Sequence, residues 1–181
     1  MRLFAAVTPP EDAVTHLADH IAAIRDAGLR WSDATTWHVT TAFYGEVADS
    51  AVAELQERLA RAARRHHPMS LRLGGAGQFG GTVLWVGIRG DVEELRRLAA
   101  ATVAAGRRLG LGRREPRRYR PHVTLARNSA RHNVRPCMAA LSDYDGPTWR
   151  ADHLTLVRSH LGAGAGGRAL HEPVARFPLT E

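Results

Sequence analysis

Two stretches of the chain carry the same triplet, His38-Val39-Thr40 and His122-Val123-Thr124. Along an extended strand side chains alternate between faces, so residues two apart share one face about 7 Å apart. Each triplet therefore points one imidazole and one hydroxyl the same way. Histidine titrates near neutral pH and can give or take a proton. A threonine hydroxyl can donate a hydrogen bond to an anionic oxygen. If the two triplets face each other across a cleft, His38 and His122 can serve as acid and base on opposite sides of a phosphodiester. Thr40 and Thr124 would then hold its non-bridging oxygens while negative charge builds. No metal and no cofactor is needed for that chemistry. The symmetry of the two triplets does not say which imidazole is the acid. One His-x-Thr alone would be an ordinary structural pair; the second copy makes the difference.

The elements that must position these triplets repeat as well. Residues 2–7, RLFAAV, read as a strand, and 11–27 as a helix with Val14, Leu17, Ile21 and Ile24 at helical spacing, opened by Thr8 or Asp12 and closed by Gly28. Residues 37–44, WHVTTAFY, follow as a strand. Later, 83–88 (VLWVGI) read as a strand, 92–109 as a helix capped by Asp91, and 121–127 (PHVTLAR) as a strand. From Val7 to His38 is 31 positions, and from Ile88 to His122 is 34. Order, spacing and terminal triplet agree, so the chain reads as a duplicated strand–helix–strand unit. A helix at 50–66, a strand at 69–75, a weak helix at 133–141 and strands at 153–158 and 174–177 fill the remainder. The GAGAGG run at 162–167 follows a strand but opens no helix, so it reads as a turn and not as a phosphate cradle. The repeat units fall at roughly 2–75 and 83–159 of one domain, with the chain free to cross between lobes.

Composition narrows the chemistry further. The 181 residues are 44 % hydrophobic, enough for a real core, and carry a formal charge of +7. Every basic residue is arginine; there is no lysine. That excludes a P-loop, Schiff-base catalysis and ligation through a lysyl-adenylate. Seven arginines fall between 107 and 120 (Arg107, Arg108, Arg113, Arg114, Arg117, Arg118, Arg120) against one acid, Glu115. Guanidinium holds phosphate through paired hydrogen bonds, so an anionic partner fits, although a solvated arginine loop reads equally well. With Cys137 as the single cysteine, an internal disulfide and a cysteine zinc cluster are both excluded. There is no long apolar run for a signal or a membrane span, so no membrane partner is expected. A monomer in the cytoplasm is the expectation. His16 and His20 stand four apart on a helix but lack a third ligand. His66 and His67 end a helix, and His132, His153, His160 and His171 have no assigned role, with His160 near enough to a strand end to approach the cleft.

With these residues in view, the chain resembles the 2H phosphoesterases, in particular the bacterial and archaeal RNA 2′,3′-cyclic phosphodiesterases also called 2′-5′ RNA ligases. The likeness runs through RLFAAVTPPE, LRW at 29–31, HVTTAFYGEV at 38–47, LRLGGAGQF at 71–79, VLWVGI, RPHVTLAR at 120–127, LTLVRS at 154–159 and ARFPL at 175–179. It implies an α+β, bilobal fold of two antiparallel sheets with outer helices, related by a pseudo-twofold, with the active-site groove between them. It also implies metal-independent opening of a 2′,3′-cyclic phosphate to a 2′-phosphate, with 2′-5′ ligation as the reverse reaction. His38 would protonate the leaving 3′ oxygen and His122 would activate water. Arg127, and less so Arg120, would bind phosphate, and Phe43 would stack on a base. Strict alternation, however, places Phe43 and Arg127 on the face opposite their histidines unless the strands bulge. Ala42 and Val157 stand where the family often has a basic residue and a tyrosine. The expected partner is RNA ending in a 2′,3′-cyclic phosphate. Two other readings are a small cyclic nucleotide such as an ADP-ribose cyclic phosphate, and an RNA-end-binding module without turnover.

Overall fold

A computed structural model describes residues 1–25, 28–112, 118–164 and 167–180. Among the described residues nine strands are formed: β1 (Arg2–Val7), β2 (Arg30–Trp31), β3 (Val39–Glu46), β4 (Met69–Phe79), β5 (Val83–Gly90), β6 (His122–Arg127), β7 (Trp149–Ala151), β8 (His153–Gly164) and β9 (Arg168–Pro178). Four helices accompany them: α1 (Glu11–Ile21), α2 (Asp49–Ala63), α3 (Val92–Arg107) and α4 (Arg135–Leu141). The strands form two antiparallel sheets, one ordered β3-β1-β8-β9 and the other β2-β6-β5-β4-β7. The two repeated units supply β1 and β3 to the first and β5 and β6 to the second. In both sheets the strand bearing the His-x-Thr triplet lies beside the strand that opens its unit. The architecture is the α+β arrangement of two antiparallel sheets implied by the resemblance.

Helix periodicity explains how the sheets are covered. Ala13, Leu17 and Ile21 line one side of α1, and Leu55, Leu59 and Ala63 one side of α2. Leu95, Leu98, Ala99 and Thr102 do the same on α3. These faces join Leu3, Ala5 and Val7 of β1 and Leu71, Leu73, Leu84 and Val86 of the other sheet in one continuous core. The alternate residues of β1, Phe4 and Ala6, turn the other way and bury themselves with Val157 in a separate small cluster. Burial on both faces of β1 thus follows from its nearly unbroken apolar run.

Several local expectations need correction. The first helix is shorter than 11–27: α1 ends at Ile21 and a single 3₁₀ turn covers Ala22–Ile24. Pro10, not Thr8 or Asp12, takes the N-cap position, and the Asp12 carboxylate accepts from the Ala13 amide at 2.8 Å. Asp91 sits at the N-cap of α3 but accepts instead from the Ser70 amide at 2.8 Å, tying the helix start to β4. The last strand is far longer than 174–177, because β9 pairs with β8 almost end to end. Gly162 and Gly164 of the glycine run belong to β8. The short strands β2 and β7 have too few residues to show a period and were not anticipated.

The most consequential departure from simple alternation occurs twice. Opposite β1, the register steps from Ala5↔Ala42 to Ala6↔Thr40, leaving Thr41 as an extra residue. Opposite β5, it steps from Leu84↔Ala126 to Trp85↔Thr124, leaving Leu125 as the extra residue. Both triplet strands therefore bulge one residue past the threonine, and a bulge reverses which face the later residues occupy.

The second sheet depends on close packing at Gly77. It pairs with Trp85, and a Cβ at this position would overlap the indole ring. Gly77→Ala should cost about 1–3 kcal/mol by forcing Trp85 from its seat. Denaturant unfolding would show this as a lowered midpoint with unchanged slope, and a midpoint equal to wild type would contradict it.

Candidate active site

His38 immediately precedes β3 and His122 opens β6. The two rings are held in the same manner. His38 Nδ1 lies 2.7 Å from the Thr36 carbonyl and His122 Nδ1 lies 2.7 Å from the Arg120 carbonyl. A carbonyl can only accept, so each Nδ1 carries the proton. Nε2 is then left as the reactive nitrogen of both rings, able to take a proton when neutral or give one when charged. In each case the accepting residue lies two positions before the histidine, which is a third repeat of local structure after the triplet and the bulge.

Each imidazole rests against aromatic rings of its own sheet. His38 stacks at 4.6 Å between centroids on Phe4 and meets His171 edge-on at 5.0 Å. His122 meets Phe79 edge-on at 4.9 Å and Trp85 at 5.9 Å. This apolar crowding disfavours the charged form of both rings. Burial lowers the His38 pKa to about 4 against the opposing effect of the Thr36 carbonyl, and the nearby charges of His171 and His122 lower it further. Burial also lowers His122, again opposed by its bond to Arg120. β3 and β6, the strands that carry the two triplets, lie against each other. The lobes are tied there by the Tyr119 hydroxyl, which donates to the Thr40 carbonyl at 2.8 Å.

Thr40 and Thr124 remain half-buried beside their histidines. The bulges then settle the parity of the residues beyond. Phe4 touches both His38 and Phe43, the latter with ring centroids 5.8 Å apart, so Phe43 lies on the His38 face. Phe43 is 59 % exposed, which rules out the alternative of core packing. In the second sheet Ala126 and Leu84 are paired and buried, and the next pair, Arg127 with Val83, points the other way. Arg127 is thus exposed on the face of Thr124 and His122 and occupies the position equivalent to Phe43. Arg120 is exposed and its backbone carbonyl, not its guanidinium, is the group seen holding His122. Ala42 is turned into the core, and Val157 packs on Phe4 in the groove floor.

His171 was passed over in the sequence and belongs to this site. Its ring contacts Phe4 at 5.1 Å as well as His38, and burial lowers its pKa. The signal was faint, since alternation along β9 is visible only once the full strand is known. His160, in contrast, bonds through Nε2 to Glu172 at 2.8 Å, and the residue paired with His171 is its neighbour Ser159. His160 consequently faces away from the groove. His16 bonds to the Tyr144 hydroxyl at 2.9 Å and His20 to the Ala140 carbonyl at 3.2 Å. His66 does not end a helix but pairs with Glu94 at 2.6 Å. Among the described residues no three His, Cys, Asp or Glu side chains are grouped to hold a metal ion. Of the arginine-rich segment, Arg113, Arg114 and Arg117 lie outside the described residues. Its two ends lean on β3, through Gly112 to the Tyr44 carbonyl at 3.3 Å and through Tyr119 to Thr40.

Two antiparallel sheets, each presenting a histidine and a threonine with the same backbone support, define a two-histidine phosphoesterase scaffold. A sequence profile of the 2′-5′ RNA ligase superfamily matches residues 10–163, and the chain belongs to that family. It is similar to an RNA 2′,3′-cyclic phosphodiesterase of Aeropyrum pernix, 31 % identical over 127 residues, or 68 % of this chain and 66 % of that one. A second relative of that name, from Geobacillus stearothermophilus, is 35 % identical over 104 residues covering 54 % of this chain and 32 % of its own. The chain thus spans less than two thirds of either of these relatives. Among solved structures, E. coli LigT complexed with ATP superposes with a TM-score of 0.77 at 27 % identity, covering 99 % of this chain and 98 % of that one. A crystal structure described as a phosphoesterase gives 0.81 at 26 % identity with the same coverage.

The pKa directions fix an expected pH behaviour. His38 is neutral in the folded protein down to about pH 4, whereas in the unfolded chain it protonates below its ordinary 6.5. The unfolded state therefore binds more protons between these values, and stability contributed by the neutral ring is lost as pH falls through that window. Unfolding free energies at pH 7.5 and 4.5 should differ by about 1–2 kcal/mol less in His38→Gln than in wild type. An equal pH dependence in the two proteins would show that His38 is not desolvated as described.

Proposed function

We propose that the protein opens 2′,3′-cyclic phosphates at RNA ends to 2′-phosphates by acid–base catalysis. The observation that carries this reading is the matched Nδ1-to-carbonyl anchoring of His38 and His122, which leaves Nε2 as the proton-transferring atom of both. Membership in the 2′-5′ RNA ligase superfamily and the naming of its relatives support it.

His122 Nε2 takes a proton from water as the oxygen attacks phosphorus. His38 Nε2 gives its proton to the departing 3′ oxygen, so the phosphate stays on the 2′ oxygen and one water is consumed. Thr40 and Thr124 donate to the non-bridging oxygens, where charge grows in the five-coordinate state. Arg127 adds positive charge at one end of the groove, and Phe43 offers an exposed ring for a base. The depressed pKa of His38 fits this role once substrate is present. A phosphate anion beside a desolvated imidazole favours the protonated ring, so binding itself loads the acid. With the 5′-hydroxyl of a second strand in place of water, the same attack on the cyclic phosphate forms a 2′-5′ linkage and releases the 3′ oxygen as a hydroxyl.

His38→Ala and His122→Ala should each lose well over 100-fold in hydrolysis of a nucleoside 2′,3′-cyclic phosphate while keeping wild-type unfolding midpoints at pH 7.5. Wild-type turnover should persist in excess chelator and release the 2′-phosphate isomer. Chromatography of the product against 2′ and 3′ standards reads both points, and full activity in both alanine variants would discard the mechanism.

A further inference from the structure

The concave face of the second sheet does not end at His122. On β5, Trp85, Gly87 and Arg89 share one face while Leu84, Val86 and Ile88 go to the core. Gly87 pairs with His122, so Arg89 follows on the His122 face, about 7 Å further along the strand. Arg89 pairs in turn with Arg72 of β4. The two guanidinium groups are gathered by one carboxylate oxygen: Asp145 Oδ1 accepts from Arg72 Nε at 2.7 Å and from Arg89 Nη1 at 3.1 Å. The trio keeps a net charge of +1, is partly exposed, and holds the carboxyl of Asp145 below its usual range, chiefly through the bond to Arg72.

Between this fork and His122 the strands carry glycines, Gly74 and Gly87, in place of side chains. Gly87 lies against the Gly74 carbonyl, and the Arg89 side chain lies over Gly74, 2.9 Å from where a Cβ would stand. Glycine in a strand interior marks close approach of another group, which here is the Arg89 side chain at Gly74 and the Gly74 carbonyl with the Trp85 ring at Gly87. We infer that Arg72 and Arg89 form a second phosphate subsite, which takes the phosphodiester of the nucleotide preceding the cyclic end. The inference rests on the reading that His38 and His122 act on such an end. It makes the preferred substrate an RNA strand at least two nucleotides long, not a mononucleotide. Two guanidinium groups held side by side suit the paired oxygens of a phosphodiester, and Asp145 keeps them at fixed separation without neutralising both.

The test compares a nucleoside 2′,3′-cyclic phosphate with a trinucleotide ending in the same group. Turnover of both is measured, together with binding of the fluorescently labelled trinucleotide. Wild type should favour the trinucleotide. Arg89→Ala and Arg72→Ala should lose about tenfold or more in kcat/KM and affinity on the trinucleotide, and less than about twofold on the nucleoside. The slope of log affinity against log salt should fall by about 0.7 for the lost phosphate contact. Asp145→Asn separates recognition from mere support: it should bind the trinucleotide at least as tightly as wild type, since it frees both cations. A loss in Asp145→Asn equal to that of the arginine variants, or equal losses on both substrates, would overturn the subsite. Length-dependent binding without hydrolysis of either substrate would overturn the catalytic reading and leave the subsite standing.

Discussion

Two hydrogen bonds of the same kind fix the orientation of the His38 and His122 rings. An imidazole free to rotate and tautomerise presents either nitrogen to its surroundings. Fixing Nδ1–H on a backbone carbonyl two residues upstream removes that freedom in His38 and His122 alike. The accepting carbonyls of Thr36 and Arg120 belong to chain entering the strand, where the backbone is not yet engaged in the sheet ladder. Strand entry therefore orients each ring without a carboxylate partner. A carboxylate would have raised the histidine pKa, whereas a neutral carbonyl gives orientation with a weaker pull on the proton. Apolar neighbours such as Phe4 and Phe79 then dominate, and burial disfavours the charged form of both rings.

Around these anchors the two triplet strands differ in side chains while sharing backbone devices. The extra residues Thr41 and Leu125 occupy the same place in each triplet strand and return the next outward side chain to the groove. In one half that side chain is Phe43, a flat apolar surface; in the other it is Arg127, a planar cation. A pseudo-symmetric scaffold thus presents an asymmetric pair of handles, one suited to a base and one to a phosphate. The same division holds around the histidines, with Phe4 and His171 on one side and Phe79 and Trp85 on the other.

Much of this was legible in the residues themselves. The paired triplets and the strand–helix–strand order around each follow from local periodicity and from a motif repeated at similar spacing, whereas the α+β class of two antiparallel sheets is what the family resemblance implies. The face on which Phe43 and Arg127 lie was not legible, because a bulge is decided by the register with β1 and β5, which no single strand reveals. His171 was missed for a related reason: most of β9 is exposed and weakly alternating, so only its pairing with β8 defines it as a strand. The Arg72–Asp145–Arg89 fork joins residues from three distant segments, and charge counting had drawn attention to the arginine run at 107–120 instead. Asp91 looked like a helix cap by type and position, yet the Ser70 amide competes successfully for its carboxylate.

The order of strands has a consequence for how the molecule comes into being. β1 lies between β3 and β8 in its sheet, so one of its two edges waits unpaired until the chain beyond residue 150 exists. Meanwhile β4, made in the first half, is seated in the opposite sheet between β5 and β7. Neither the segment through β4 nor the segment from β5 onward can therefore complete its sheet and dock later as a finished piece. Such long-range pairing slows folding and leaves an apolar edge open during synthesis. The protein must mature as a whole, and splitting the chain between β4 and β5 would yield two fragments that each lack a strand held by the other.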